Sequence, residues 1–279
     1  MLASPARIGA VLGVDAPVVL QLTGLGLLVF AADLFHQSTR SRMATWRTLY
    51  ASAGDFLWVA ATLGGLLLFP DVLSYTGLRL VTVVAGIVLI FGVWQLWAID
   101  RAHRLPSGLH RHCVQVRVPV AADAMWSVVG RIGDIGRYMP SLQVSEILEG
   151  KAPGVGAVRR CVDQRGKAWS EECVAFDAGR SFVVRFLADA PGFPFPAHTM
   201  TGGWEVTPAG HGSDVQVWWE LEPKPRWLAP IFLPLLAFQA DRDFTGIIAR
   251  MAAEAAGAGH TTPTDRRTDV VARLLPRVC

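Results

Sequence analysis

Seven charged or titratable side chains sit in stretches that otherwise read as strands: Arg159, Arg160, Asp163, Glu171, Glu172, Arg185 and His198. Neighbours on a strand point to opposite faces, so one of Arg159/Arg160 and one of Glu171/Glu172 turns inward. Spacing alone leaves the register open. His198 shares a strand face with Met200 and Trp204 and is expected inward with them. A buried Glu beside a His or an Arg could do acid–base work on a carbonyl compound, as a cyclase or dehydratase requires. The same side chains serve equally well to orient a bound polar headgroup, or as cross-strand ion pairs on the outer face. No Ser/His/Asp arrangement, phosphate-cradling glycine loop or metal-ligand spacing is present in the sequence, so no cofactor or metal is expected. His103, His110, His112 and Cys113 cluster but lack a second ligand group, and are read as basic residues at a membrane surface.

The elements that must position these residues end in a hairpin feeding one long helix. In SDVQVWWELE, Val215, Val217, Trp219 and Leu221 share one face, a period of two that marks a half-buried strand. Its partner is AHTMTGGWEV, joined to it by TPAGHG, and the pair Gly202–Gly203 suits a sharp bend or bulge. From Trp227 the period becomes helical, with Phe238, Phe244, Ile247, Ile248 and Met251 forming a stripe. Upstream, CVQVRVPV reads as a strand and Ala121–Ile132 as a short helix. GDIGRYMPS reads as a helical turn ended by Pro140. Strands are expected near 143–149, 156–164, 167–177 and 180–188, followed by the loop DAPGFPFPA. The order is strand, two short helices, six antiparallel strands and a long helix. It implies an α+β cup that holds something apolar. The segment WLAPIFLPLLAF at the helix entry is apolar all round and carries two prolines, which leaves two readings open: extra core, or a lip facing a membrane.

The front of the chain is different. Charged residues make up 18% of the 279 residues and hydrophobic ones 52%, and the charge deficit lies in the first hundred positions. Three apolar runs, roughly 16–35, 53–73 and 80–99, approach the length of about 20 residues that a spanning helix needs. Arg40, Arg42 and Arg47 follow the first run and Arg101, Arg104 and Arg111 follow the third, which places the C-terminal half in the cytoplasm by the positive-inside rule. The expected location is therefore the inner membrane, multi-pass, with 1–100 as the membrane segment, 101–111 as linker, 112–257 as the soluble domain and 258–279 as a disordered tail. Asp33 and Asp55 are read as lying near helix ends, with Gln21 and Gln95 bonding between helices. The opening MLASPARIGAVLGVDAP reads as a loop. The net charge of +3 and the lack of a basic stripe with interleaved aromatics exclude a nucleic-acid partner. Cys161 and Cys173 are expected as reduced, buried thiols.

The segments Val116–Val129 (VRVPVAADAMWSVV), 134–140 (DIGRYMP), 154–159 (GVGAVR), 169–177 (WSEECVAFD) and 203–213 (GWEVTPAGHGS) resemble, in that order, the polyketide cyclase/dehydrase branch of the START-like superfamily. The resemblance spans the whole soluble half and implies the helix-grip fold. It also implies a hydrophobic small molecule or lipid bound between sheet and helix, with catalysis in a minority of members. Matched to the family pattern, Glu171 is the inward carboxylate, and Glu171 with His198 would be the catalytic pair. Trp126, Tyr138, Arg185, Met200, Trp204, Trp219, Phe238 and Phe244 are the expected ligand-binding set. The front segment resembles small bacterial inner-membrane proteins of four helices, which implies one helix fewer here. A third expectation is a regulatory or assembly module for the membrane helices, with the cup filled by side chains.

Overall fold

A computed structural model describes residues 4–39, 45–257 and 272–275. It divides into two compact units, 1–102 and 103–279.

In the first unit, α1 (Pro5–Leu12) occupies the stretch expected to be a loop. Pro5 fits the first helical turn, where its missing N–H costs nothing, and Gly13 at φ 82° ends the helix in the left-handed conformation. The end of α1 is fastened at Ser74, whose backbone N–H donates to Leu12 O at 2.7 Å and whose hydroxyl donates to Val11 O at 2.6 Å. Three helices follow, α2 (Pro17–Ser38), α3 (Thr45–Leu68) and α4 (Tyr75–His103), each long and apolar enough to cross a membrane. The second departs from the expected bounds because its helix continues N-terminally through the polar turn Thr45–Thr48 and stops ahead of Pro70. Asp55 therefore lies mid-helix rather than near an end. It accepts a hydrogen bond from Gln95 Nε2 of α4 at 3.0 Å, and Ser52 donates to Gly92 O at 3.0 Å. Both bonds satisfy polar groups between helices, the use such residues commonly have in an apolar bundle.

The second unit is an antiparallel sheet with helices on one face. Its strands are β1 (His110–Val118), β2 (Leu142–Ile147), β3 (Val158–Asp163), β4 (Ala168–Asp177), β5 (Ser181–Phe186), β6 (Ala197–Ala209), β7 (Gly212–Pro223) and β8 (Arg273–Leu274). They lie in the order β2-β3-β4-β5-β6-β7-β1-β8. Between β1 and β2 come α5 (Ala122–Val129) and a 3₁₀ turn, Ile132–Arg137; α6 (Ala229–Ala255) follows β7. This is the helix-grip arrangement, with its elements in the expected order. The tail expectation falls outside the described residues except at 272–275, where β8 pairs with β1.

Alternation builds the core. Val114, Val116 and Val118 of β1 and Val215 and Val217 of β7 are at most 1% exposed. They meet Ile247, Ile248, Met251 and Ala252 of α6 in one cluster with Met125 and Val128 of α5. The glycine pair has a different use from a bend. A Cβ on Gly203 would fall 2.4 Å from the indole of Trp218, and one on Gly202 would crowd Trp219 and Phe186 at 3.2 and 3.3 Å. The irregularity in β6 lies earlier, between Ala197 and Thr199.

Candidate functional site

Glu171 and Arg159 face each other directly on β4 and β3 and turn inward, 3% and 6% exposed. Arg159 Nη2 donates to Glu171 Oε2, and Arg159 Nη1 donates to Ile132 O at 2.6 Å, tying the 3₁₀ turn to the sheet. The other carboxylate oxygen, Oε1, accepts from Trp169 Nε1 at 2.7 Å and lies 3.9 Å from the Cys161 thiol. Burial alone would lower the Arg159 pKa, but the Glu171 carboxylate, and then Cys161, raise it above the ordinary guanidinium value. The Cys161 thiol is pushed up to about 11 by burial and by the adjacent Glu171 carboxylate. Both oxygens of Glu171 are thus engaged.

The structure does not bring His198 to this carboxylate. His198 is exposed at the β6 bulge. The bulge inserts one residue and shifts the alternation, so Ala197 and Met200 point in while His198 and Thr199 point out. Arg185 is also outside. Phe182, Val184 and Phe186 take the inner face of β5, and Arg185 pairs with Glu172 on the outer one. Phe238 is 47% exposed, on the side of α6 away from the core.

The remaining expected residues form the inner wall. Trp126 packs its ring 5.7 Å from Phe176 and 6.5 Å from Phe182, and Phe182 stacks 6.4 Å from Trp204. Phe244 bridges Trp204 at 5.8 Å and Trp219 at 4.8 Å. Met200 and Tyr138 are buried at 9% and 3%. Tyr138 donates from its hydroxyl to Glu254 Oε2 at 2.8 Å. Burial and this carboxylate raise the phenol's pKa.

Three features went unread in the sequence. The loop between β5 and β6 folds Phe193 and Phe195 against Phe186, and Phe195 meets Trp169 edge-on at 5.3 Å. Its signal is the Phe-Pro-Phe-Pro spacing. Glu254 is the lone acid in an alanine-rich helix end, and it gathers Arg131, Arg137 and Tyr138. His112, expected at a surface, stacks on Trp219 at 6.2 Å and pairs with Asp241 at 3.0 Å. Its neighbours His103, His110 and Cys113 are buried at 4%, 4% and 2%.

Two open concavities lie away from these residues, one lined by Pro5, Gly9, Gly13 and Pro17, the other by Ala122, Asp123, Gly179, Val206 and Pro208. Side chains of the inner sheet face and of α6 pack into one cluster.

The family model described as polyketide cyclase / dehydrase and lipid transport matches residues 111–256, more than half of the chain. The chain belongs to that family. No curated protein matches it significantly. Solved structures similar to this family member include an aromatase/cyclase, Zhui, from Streptomyces sp. R1128. It is 16% identical, with a TM-score of 0.42, over 55% of this chain and 99% of that one. Norcoclaurine synthase from Thalictrum flavum is 17% identical, with a TM-score of 0.43, over 56% of this chain and 91% of that one. Ara h 8.0201 is 19% identical, with a TM-score of 0.42, over 54% and 99%.

Proposed function

We propose that this family member is anchored in the inner membrane by α2–α4 and holds its C-terminal domain in the cytoplasm. There it binds a hydrophobic small molecule or lipid with one polar end. The observation that carries the reading is the Arg159–Glu171–Trp169 set, fixed buried polar groups joined through the Trp169 ring to Phe195 of the aromatic loop. A few fixed polar groups beside an aromatic wall suit an amphiphile, whose head they orient and whose body supplies the buried area. The family's description, which includes lipid transport, supports the same reading.

The packing of α6 and the inner sheet face into one cluster favours a second reading, a regulatory or assembly module for the membrane helices. One experiment separates the two. The full chain is extracted from its membrane and washed in detergent, and the unit 103–279 is purified without detergent. Native mass spectrometry and organic extraction then read what each carries. A stoichiometric apolar compound on both supports binding; an empty domain that takes up no lipid or isoprenoid from a mixed panel supports the module. A cyclase or dehydratase reading requires a proton-transfer partner beside Glu171, and both Glu171 oxygens are held by Arg159 and Trp169.

A further inference from the structure

The first half of α6 carries two apolar faces. Ala229, Leu233 and Ala237 recur every fourth residue and are buried, at 0%, 4% and 1% exposure. Ile231 and Leu235 point the other way, 39% and 54% exposed, and Trp227, one turn earlier, is 74% exposed. A helix on a water-facing surface normally turns charge outward. On this face the first charge is Arg242, two turns beyond Leu235. A contiguous exposed apolar strip of this kind marks an interaction site. We propose that the strip Trp227–Ile231–Leu235 docks into the interfacial layer of a lipid bilayer, with the helix axis lying along the membrane plane.

Three observations select lipid as the occupant. The same chain carries three helices long and apolar enough to cross a membrane. Only residues 104–109 separate the end of α4 from the start of β1, a stretch that reaches at most about 20 Å fully extended. The chemistry of the strip also fits. It runs for about 12 Å at the helical rise, a length suited to lying in the interface and too short to span. Trp227 at its start is the residue type that favours the headgroup level. Lys224 and Arg226 beside it are exposed and basic, although Arg226 also pairs with Glu222, and basic groups at that depth favour anionic headgroups. The buried side of the same turns roofs the sheet. Docking would therefore set the roof of the proposed binding site against lipid. The inference rests on the reading of α2–α4 as membrane spans.

The test uses the full chain in vesicles of phosphatidylethanolamine and phosphatidylglycerol. A photoreactive benzoylphenylalanine is placed singly by Trp227→p-benzoylphenylalanine, Ile231→p-benzoylphenylalanine or Leu235→p-benzoylphenylalanine. The exposed turn residue Arg165 serves as control. After irradiation, intact mass identifies what is attached. Lipid adducts at the three strip positions, several-fold above position 165, are expected. Adducts to a second copy or to the chain's own helices, or yields no higher than the control, overturn the docking while the protein stays with the vesicles. Protein that does not stay with the vesicles overturns the anchoring itself.

Discussion

Replacing Glu171 should damage the domain far more than replacing Glu171 and Arg159 together. With Glu171→Ala, a guanidinium 6% exposed loses its carboxylate partner, and Trp169 Nε1 loses its acceptor. Two unit charges about 4 Å apart attract by about 4 kcal/mol at an effective dielectric of 20. Breaking a buried pair from one side costs about 3–5 kcal/mol, because the remaining charge stays desolvated. Substituting both partners with apolar residues of similar volume removes the desolvation cost along with the attraction and is often near neutral. Urea unfolding of residues 103–279, followed by tryptophan fluorescence, should therefore give Glu171→Ala a loss of about 3–5 kcal/mol. The double variant Arg159→Met/Glu171→Leu should fall within about 1.5 kcal/mol of the parent. A Glu171→Ala loss below about 1 kcal/mol, the range of exposed pairs, would refute the burial argument. A double variant as unstable as the single one would refute the pairing.

Three further outcomes follow from the same geometry. Cys161, with its pKa pushed up to about 11, should resist iodoacetamide at neutral pH in the folded protein and react at once on unfolding, read by mass. Gly203→Ala should cost about 1–3 kcal/mol in the same urea assay, since its Cβ would meet the Trp218 ring at 2.4 Å. Glu254 has a lowered pKa: burial pushes it up, but bonds from Tyr138, Arg131 and Arg137 outweigh that. Its contribution is complete above the unfolded-chain value and is lost as pH falls through the lowered folded one. Glu254→Gln should thus be less stable than the parent at neutral pH, and the gap should close as the medium is acidified below the ordinary carboxylate range.

The strand-and-helix order was legible because alternation and helical periods are local properties. Val215, Val217 and Leu221 announce their face in the sequence and occupy it in the fold. Glu171 was legible only through the resemblance, since adjacent glutamates offer two registers and nothing local chooses between them. His198 was misread for a related reason. Its phase with Met200 holds on a regular strand, and the bulge that breaks it is fixed by pairing to β7. Arg185 follows a plain alternation that places it outside, and a ligand role had overridden that pattern. The boundaries of α3 were misjudged because hydropathy marks where a helix is apolar rather than where its hydrogen bonds begin. Glu254 and the His112–Asp241 pair depend on residues more than a hundred positions apart, which no window of sequence reaches.

A ligand reaches a site between sheet and α6 only where a wall can move aside, and the walls differ in what holds them. Shifting α6 would expose Leu233, Ile247, Ile248 and Met251 and break the bonds gathered at Glu254. At about 1.5–3 kcal/mol for each large side chain, the apolar exposure alone approaches the whole stability of a domain. The loop carrying Phe193 and Phe195 is only half-buried and is held chiefly by its ring contacts to Phe186 and Trp169. Such contacts contribute about 0.5–1.5 kcal/mol each beyond their area, so swinging the loop aside costs a few kcal/mol. Ligand contacts that supply about 8 kcal/mol, the free energy of micromolar binding, offset the loop and not the helix. Entry in the proposed binding function therefore belongs at Phe193–Phe195, and a ligand entering there meets Trp169, which donates to Glu171, first.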